Sequence, residues 1–281
     1  MATKTDKAVA AMKETNSNVP AYLPQGKKRQ IGNLDQTDRI VPRIKLIQRT
    51  SEEPQTWDAA KVGEFWHTLS EQSLGESVRI VPLIIRKSYV LWAPRNDERG
   101  ILARANDAIH WDLPNTEFEV NIKGAGKQVY NTGDDVPSSG LADFGSSIKG
   151  DSRSRPAASL TYQMLAYLPD YPDISPAIII NTRSSIKPMQ ALISKTDGKP
   201  VDIFYQLYRM SKIDENGEEG PYFNYLYTGE GYVDEDIAEK MKEMVDAFSM
   251  GPWRANDEGD DVANSGGGHA APKGDSKRTD F

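Results

Sequence analysis

Cationic and aromatic residues alternate in one short segment of the sequence, between positions 86 and 92. This segment contains Arg86, Lys87, Tyr89 and Trp92. Cationic side chains bind phosphates and aromatic rings stack on bases, so this mixture is typical of a site for single-stranded nucleic acid. On a β-strand, Lys87 and Tyr89 share one face, while Arg86 and Trp92 share the other. One stacking face therefore cannot use both rings without a bulge. The alternative is that Trp92 is a core residue and both cations lie on the surface.

A second group of aromatic and cationic residues occupies two later segments, which the sequence predicts to be the two strands of a hairpin. Its members are Tyr205 and Arg209 in the first segment and Tyr225 and Tyr227 in the second. Period-two alternation places Tyr225 and Tyr227 on the same side of their strand. Such strands form either a platform on which bases stack or an ordinary sheet with aromatic cross-strand pairs.

Further cations lie around a short helix that the pattern predicts over residues 186–195. Arg183 and Lys187 are the two that we include as candidate phosphate contacts. Isolated surface cations are common, so they add weight only beside the aromatic segments. The candidate DNA-binding residues are Arg86, Lys87, Tyr89, Trp92, Arg183, Lys187, Tyr205, Arg209, Tyr225 and Tyr227.

The sequence contains no pattern that predicts an active site. The absence of cysteine excludes disulfides, thiolate metal sites and a cysteine nucleophile, and the three histidines lie far apart. The segment 124–127 resembles part of a phosphate-binding loop, but Asn121 and Gln128 stand where that motif needs Gly and Ser or Thr. We therefore expect a binding protein without an enzymatic activity, a cofactor or a metal ion.

The chain ends in a polar segment that closes on an aromatic residue. Residues 255–281 contain six acidic and three basic residues, and Asp280 and Phe281 are the last two. A terminal ring beside carboxylates, carried on a flexible tether, can dock in a basic pocket of a protein partner such as a polymerase. The alternative is a solubilising extension that happens to end in Phe281.

Hydrophobic periodicity predicts a mainly β protein with a C-terminal helix. The pattern predicts strands over residues 40–48, 77–93, 159–168, 177–182, 201–213 and 222–227. Residues 77–93 form either one long strand or a tight pair of strands. The pattern also predicts the short helix over 186–195, which would pack Met189, Leu192 and Ile193 inward. A last helix, capped by Asp234 or Asp236, ends before Gly251 and carries on one face Ile237, Met241, Met244, Val245 and Phe248. The turn-rich residues 112–157 are interpreted as a long excursion between strands rather than a second core. Pro82 is expected to mark an edge or a bulge within its strand.

Composition divides the chain into a β-rich domain with two polar ends. We expect a flexible basic arm over residues 1–38, a binding domain over 39–250 and a disordered acidic tail over 251–281. The net charge is −7, so nucleic acid would have to follow a local path of cations. No apolar run is long enough to cross a bilayer, and together with the lack of cysteine this favours the cytoplasm.

Three features of the sequence resemble single-stranded DNA-binding proteins of tailed bacteriophages. They are the segment 40–48 after a polar leader, the segment 78–82 that runs into 86–92, and Ser184-Ser185-Ile186-Lys187-Pro188 opening the short helix. The resemblance implies an OB-like Greek-key barrel with extra strands, which binds oligonucleotides on one face. It further implies sequence-independent coating of single-stranded DNA in phage replication or recombination, with the tail recruiting replication proteins. The tail resembles the acidic tails of such proteins, which end in an aromatic residue. It departs from them at Lys277-Arg278, which make its end less acidic.

A second hypothesis comes from a different class of protein. A phage virion or assembly component would use a β-rich domain and polar ends for protein contacts, and a pI near 5.2 suits that role as well. The sequence leaves open whether the chain forms a homo-oligomer. Retention on single-stranded DNA separates the two hypotheses.

Overall fold

The computed structural model describes residues 41–92, 101–111, 118–122, 126–144, 146, 156–217 and 220–249. The side chains of Trp92 and of residues 118–122 and 126–128 are not part of that description. The predicted arm, the predicted tail and its terminal Asp280 and Phe281 lie outside the described residues.

The described chain is rich in strands and carries three α-helices. The strands are β1 Arg43–Leu46, β2 Phe65–His67, β3 Gln72–Gly75, β4 Ser77–Trp92, β5 Ile101–Ala105, β6 Phe118–Ile122, β7 Gly126–Tyr130, β8 Ala158–Tyr167, β9 Ala177–Thr182, β10 Gln206–Gly217 and β11 Gly220–Tyr232. The helices are α1 Glu53–Thr56, α2 Ile186–Asp197 and α3 Glu235–Ser249. The predicted mainly β fold with a C-terminal helix is confirmed.

Eight strands form a continuous path in the order β11-β10-β4-β8-β9-β1-β2-β3, and β5 joins the same sheet by pairing with β4. β4 is the long central strand, because it pairs with β8 along most of its length. Its first part also pairs with β10 and its last part with β5. The register of β4 against β8 shifts between Pro82 and Ile84, so the predicted bulge is confirmed.

Five of these strands have the connectivity of an OB-like barrel. In the sheet, β8 lies between β4 and β9 and is antiparallel to both. The chain then continues through α2 to the β10–β11 hairpin, which pairs with the start of β4. The sheet curls into a half-barrel, with β1–β3 added beside β9. The interior of an OB barrel is filled by side chains, and here the buried residues of the five strands fill it together with Met189 and Leu192 of α2.

The two longer helices cover different faces of the curled sheet. Met189 and Leu192 of α2 are fully buried in the interior, and Ile193 packs against the same cluster, as the sequence predicts. The apolar face of α3 packs on the outer side of β4, β8 and β9, with Met241 at its centre. The other α3 residues in that contact are the predicted Ile237, Met244, Val245 and Phe248. Each helix thus has an apolar stripe of the expected period.

Two sequence interpretations are wrong. Ile203–Tyr205 form a 3-10 turn, so the strand predicted to begin at Val201 begins only at Gln206. The excursion 112–157 does add to a second apolar cluster, because Val136 and Leu141 are fully buried against Leu91 of β4 and residues of β5. The prediction missed them because these few apolar residues are scattered among many turn-forming residues.

The described part of the partial phosphate-loop motif belongs to a β-strand. Gly126 and Lys127 are the first residues of β7, which pairs with β6, whereas Gly124 lies outside the described residues. In a phosphate-binding loop the lysine opens a helix, so the strand position of Lys127 does not match that motif. Within the described residues, no helix is long and apolar enough to span a membrane.

Candidate nucleic-acid interface

An open cleft of about 750 Å³ lies where the last turn of α2 and the segment after it face the second half of β4. Both polar and aromatic side chains line it. The lining residues are Ile85, Lys87, Tyr162, Ile193, Thr196, Asp197, Lys199, Pro200, Val201, Asp202, Ile203 and Tyr205. The cleft therefore joins residues from β4, β8, α2 and the 3-10 turn before β10.

The sheet side of the cleft is built by cross-strand pairing. Lys87 of β4 lies directly opposite Tyr162 of β8, so both side chains project from the same face. Tyr89 is the next residue of β4 on that face, and the Nζ atom of Lys87 lies 5.6 Å from the centroid of its ring. The strand period therefore places two aromatic rings and one exposed cation together.

The opposite rim is the segment from Lys199 to Tyr205. The ring centroids of Phe204 and Tyr205 lie 4.3 Å apart. Buried Gln206 anchors this rim, because its Nε2 atom donates to the carbonyl of Val201 at 3.2 Å. Its Oε1 atom accepts a hydrogen bond from the hydroxyl of Tyr208 at 2.7 Å. The rim is thus fixed by a buried polar chain at the start of β10.

Lys199 carries the second cation of the cleft. Its Nζ atom lies 5.2 Å from the ring centroid of buried Tyr208 and 5.6 Å from that of exposed Tyr232. Such contacts hold a lysine beside an aromatic face while its ammonium group still reaches solvent. Lys87 and Lys199 therefore bracket the cleft, each beside an aromatic ring.

The charges that line the cleft balance, since Asp197 and Asp202 accompany Lys87 and Lys199. Neither lysine is within ion-pair distance of a carboxylate in the described part of the chain. An unpaired ammonium group can bind a phosphate without first breaking a salt bridge. The arrangement suits a few phosphate contacts rather than a strongly basic groove.

The cleft brings together three of the ten candidate residues. Lys87 and Tyr205 line it, and Tyr89 contacts Lys87. Arg86 points to the opposite face of β4, where its guanidinium donates to the carbonyls of Phe248 and Ser249 at 3.2 and 3.3 Å. Burial lowers the pKa of Arg86. Its position at the C-terminal end of α3 is that of a helix-capping cation.

The other candidate cations lie elsewhere on the surface. Arg209 forms an ion pair with Glu230, with its Nε atom 2.5 Å from the carboxylate. Arg183 and Lys187 are exposed in the turn before α2 and in its first turn, at the other end of that helix from the cleft. These three residues do not line the cleft.

The two hairpin tyrosines share one side of β11, as predicted, and their rings stack with centroids 6.2 Å apart. Tyr227 is only 3% exposed, and its hydroxyl donates to Asn181 at 3.2 Å. Burial raises the pKa of Tyr227 well above its ordinary value. Its ring belongs to the core, whereas Tyr225 is half-buried beside Phe65. Trp92 lies at the end of β4, opposite Ile101 of β5.

Sequence reasoning missed two residues that line the cleft, Tyr162 and Lys199, and also Tyr232, which contacts Lys199. Tyr162 lies in a strand that was predicted, and cross-strand pairing with Lys87 is the property that singles it out. Lys199 follows the predicted helix directly, but its contact with Tyr232 depends on how the hairpin folds back. In the described residues, no group of three or more His, Asp or Glu side chains could hold a metal ion.

These features define a β-rich, half-barrel protein with an aromatic and cationic cleft. The chain belongs to the Pam3 phage gp34-like protein family, whose model matches residues 12–254, and it is therefore a bacteriophage protein. The match includes every strand and helix described above. No curated protein and no solved structure matches the chain significantly.

Proposed function

We propose that this protein binds single-stranded DNA without sequence preference and coats it during phage replication or recombination. The observation that carries the proposal is the cleft bracketed by Lys87 and Lys199 and lined by Tyr162 and Tyr205. Single-strand binders combine cations that hold the backbone with rings on which successive bases stack. The OB-like connectivity and the phage family support the same assignment.

In this proposal the lysines and the tyrosines of the cleft contact different parts of the nucleic acid. Lys87 and Lys199 bind phosphates, and the rings of Tyr89, Tyr162 and Tyr205 stack on bases. Stacking is tolerant of sequence because every base has an aromatic face. Duplex DNA keeps its bases paired and stacked inside the helix, so it would bind the cleft much more weakly.

Recruitment of replication proteins, such as a phage DNA polymerase, completes the proposal. It rests on the sequence of residues 255–281, where Asp280 and Phe281 offer a carboxylate and an aromatic ring to a basic pocket. Removal of Phe281 should abolish capture of the partner while leaving the affinity for DNA nearly unchanged.

The runner-up function, a virion or assembly component, is favoured by one observation. Phe144, in the segment between β7 and β8, exposes 80% of its surface, and Val129 and Ile109 are also exposed. An exposed aromatic side chain such as Phe144 is suited to a contact between proteins, because aromatic residues are enriched at protein interfaces.

Chromatography on single-stranded DNA cellulose distinguishes the two functions. A DNA-coating protein should be retained at low salt and released as the salt concentration rises, because salt screens the phosphate contacts. A virion component should flow through at every salt concentration. Flow-through of the full-length chain at low salt would contradict the DNA-binding proposal.

A further inference from the structure

A second cluster of cations and aromatic rings lies at the other end of β4 from the cleft. The guanidinium carbon of Arg49 is 5.8 Å from the ring centroid of Phe223, and the Nζ atom of Lys212 is 5.2 Å from it. Arg49 follows β1, whereas Lys212 and Phe223 are diagonal neighbours on β10 and β11. We refer to Arg49, Lys212 and Phe223 as the Phe223 cluster.

Hydrogen bonds fix the geometry of the Phe223 cluster. The side chain of Gln48 donates to the carbonyl of Phe223 at 3.0 Å and accepts from its amide at 2.9 Å. This double contact joins β1 to β11 and places the next residue, Arg49, beside the ring. Gly63 packs against the cluster with a left-handed φ of 86°, and a Cβ atom there would come within 2.8 Å of the Nζ atom of Lys212.

The charges of the cluster leave one cation available. Lys212 forms an ion pair with Glu76 at 2.7 Å, so its charge is compensated. Arg49 is exposed and has no carboxylate partner among the residues that the structure describes. Asp214, opposite Phe223 on β10, is also exposed and keeps the net charge of the region low. An unpaired guanidinium beside a half-buried ring is suited to one phosphate and one base.

The position of the cluster relative to the cleft sets the length of nucleic acid that could reach both. Ser211 pairs with Ser77 at the start of β4, ten residues before Lys87. At about 3.3 Å per residue, the two sites lie roughly 33 Å apart along the strand. OB folds cover about 4–16 nucleotides, so one strand of that length spans this distance.

We propose that the Phe223 cluster is a second contact point for the single strand held in the cleft. This inference rests on the proposed function, because it assigns a longer footprint to the same DNA-binding activity. A strand that reaches both ends of β4 binds more tightly than one that fills the cleft alone, since the second contact is intramolecular. The cleft remains the primary site because it contributes two unpaired lysines and three rings.

Oligonucleotides of two lengths test the inference by fluorescence anisotropy. The probes have about 4 and about 20 nucleotides, so that only the longer one reaches both sites. Arg49→Ala and Phe223→Leu should each weaken binding of the longer probe by roughly 5- to 10-fold and leave the shorter probe unaffected. Lys242→Ala, which removes an exposed cation from α3, is the matched control and should change neither affinity. Lys87→Ala should weaken both probes.

The outcomes separate this inference from the function on which it rests. If both cluster variants bind the longer probe as tightly as the wild type, while Lys87→Ala weakens it, the second contact is wrong and the cleft stands. Equal weakening of both probes by the cluster variants also contradicts a separate second contact. If the wild-type chain binds neither probe, the proposed function itself fails.

Discussion

Tyr162 and Tyr227 are residues of one type in surroundings that differ in burial, and we propose different roles for them. Tyr162 is half-buried at the wall of the cleft, where its ring lies beside an exposed lysine on the neighbouring strand. Tyr227 is enclosed by the core and hydrogen-bonded to Asn181. Both tyrosines lie in strands, so only their surroundings distinguish them.

Replacing each tyrosine with alanine should therefore affect different quantities. Tyr162→Ala should weaken single-stranded DNA binding by about 1–3 kcal/mol, the typical value for one stacked base. Tyr227→Ala should lower the free energy of unfolding by about 3–5 kcal/mol, because it truncates a fully buried aromatic residue. Anisotropy titrations and urea denaturation of both variants provide the two measurements. Unchanged DNA affinity in Tyr162→Ala would remove this residue from the binding site.

We expect His67 to make the stability of the protein depend on pH. Its Nδ1 atom accepts hydrogen bonds from the amide and hydroxyl of Ser70, and its Nε2–H donates to the carbonyl of Ile174 at 3.2 Å. Burial lowers the pKa of His67 below its ordinary value of 6.5. The folded protein thus keeps the ring neutral at pH values where the unfolded chain already binds a proton.

Stability should decrease as the pH falls below about 6.5 towards the lower pKa of the folded state. The contribution of His67 to this slope is at most about 1.4 kcal/mol per pH unit. Urea denaturation between pH 7.5 and pH 5 measures it, and His67→Gln, which can still accept and donate hydrogen bonds, should have a shallower slope. The same slope in both proteins would show that other groups control the acid sensitivity.

The two faces of strand β4 have different surroundings, the cleft on one side and the end of α3 on the other. Lys87 lines the cleft and contacts Tyr89 on the same face, while Arg86 caps the carbonyl end of α3 on the opposite side. Alternation along a strand produces this division between adjacent residues. The sequence grouped all three residues as DNA contacts because their types suit that chemistry.

Arg86→Ala should consequently reduce stability without changing DNA affinity. The loss of two hydrogen bonds to the last carbonyls of α3 should cost about 1 kcal/mol, since the site is partly exposed. A thermal melt and an anisotropy titration of the variant measure the two effects, with Lys87→Ala as the matched comparison on the other face. A weaker DNA complex at unchanged stability would assign Arg86 to binding instead.

The sequence predicted those elements whose hydrophobic pattern is local. β4 and the apolar stripes of α2 and α3 follow directly from period-two and period-3.6 alternation. The turn at Ile203–Tyr205 was missed because its form depends on Gln206 and Tyr208, which anchor it through buried hydrogen bonds. The apolar residues before Gln206 therefore led to the prediction of a strand that begins too early.

The cleft was only partly predictable for the same reason. Lys87 and Tyr89 are neighbours along one strand, so their spacing in sequence already indicates a shared face. Tyr162 joins them only through the register of β4 against β8, which depends on the bulge at Pro82. Lys199 reaches Tyr232 across the hairpin. The places of Tyr162 and Lys199 in the site thus depend on contacts between segments that are distant in the sequence.

At the scale of the whole molecule, the proposed DNA binding would have to overcome a net negative charge. The chain has a net charge of −7, and the cleft itself has as many acids as lysines. Few phosphates are then neutralised, and the logarithm of the binding constant should fall by about 0.7 per phosphate contact for each tenfold increase in salt. We therefore expect the affinity for DNA to depend only weakly on salt, with base stacking as the other main contribution to the binding free energy.

The most direct test of the account is the affinity of the Lys87→Ala/Lys199→Ala double variant for a single-stranded oligonucleotide, measured by anisotropy across a salt series. The account predicts weaker binding at low salt and a slope shallower by about 1.4, the loss of two phosphate contacts. Lys242→Ala should behave as the wild type, and all three proteins should melt at similar temperatures. Unchanged affinity and slope in the double variant would contradict the assignment of the cleft to DNA.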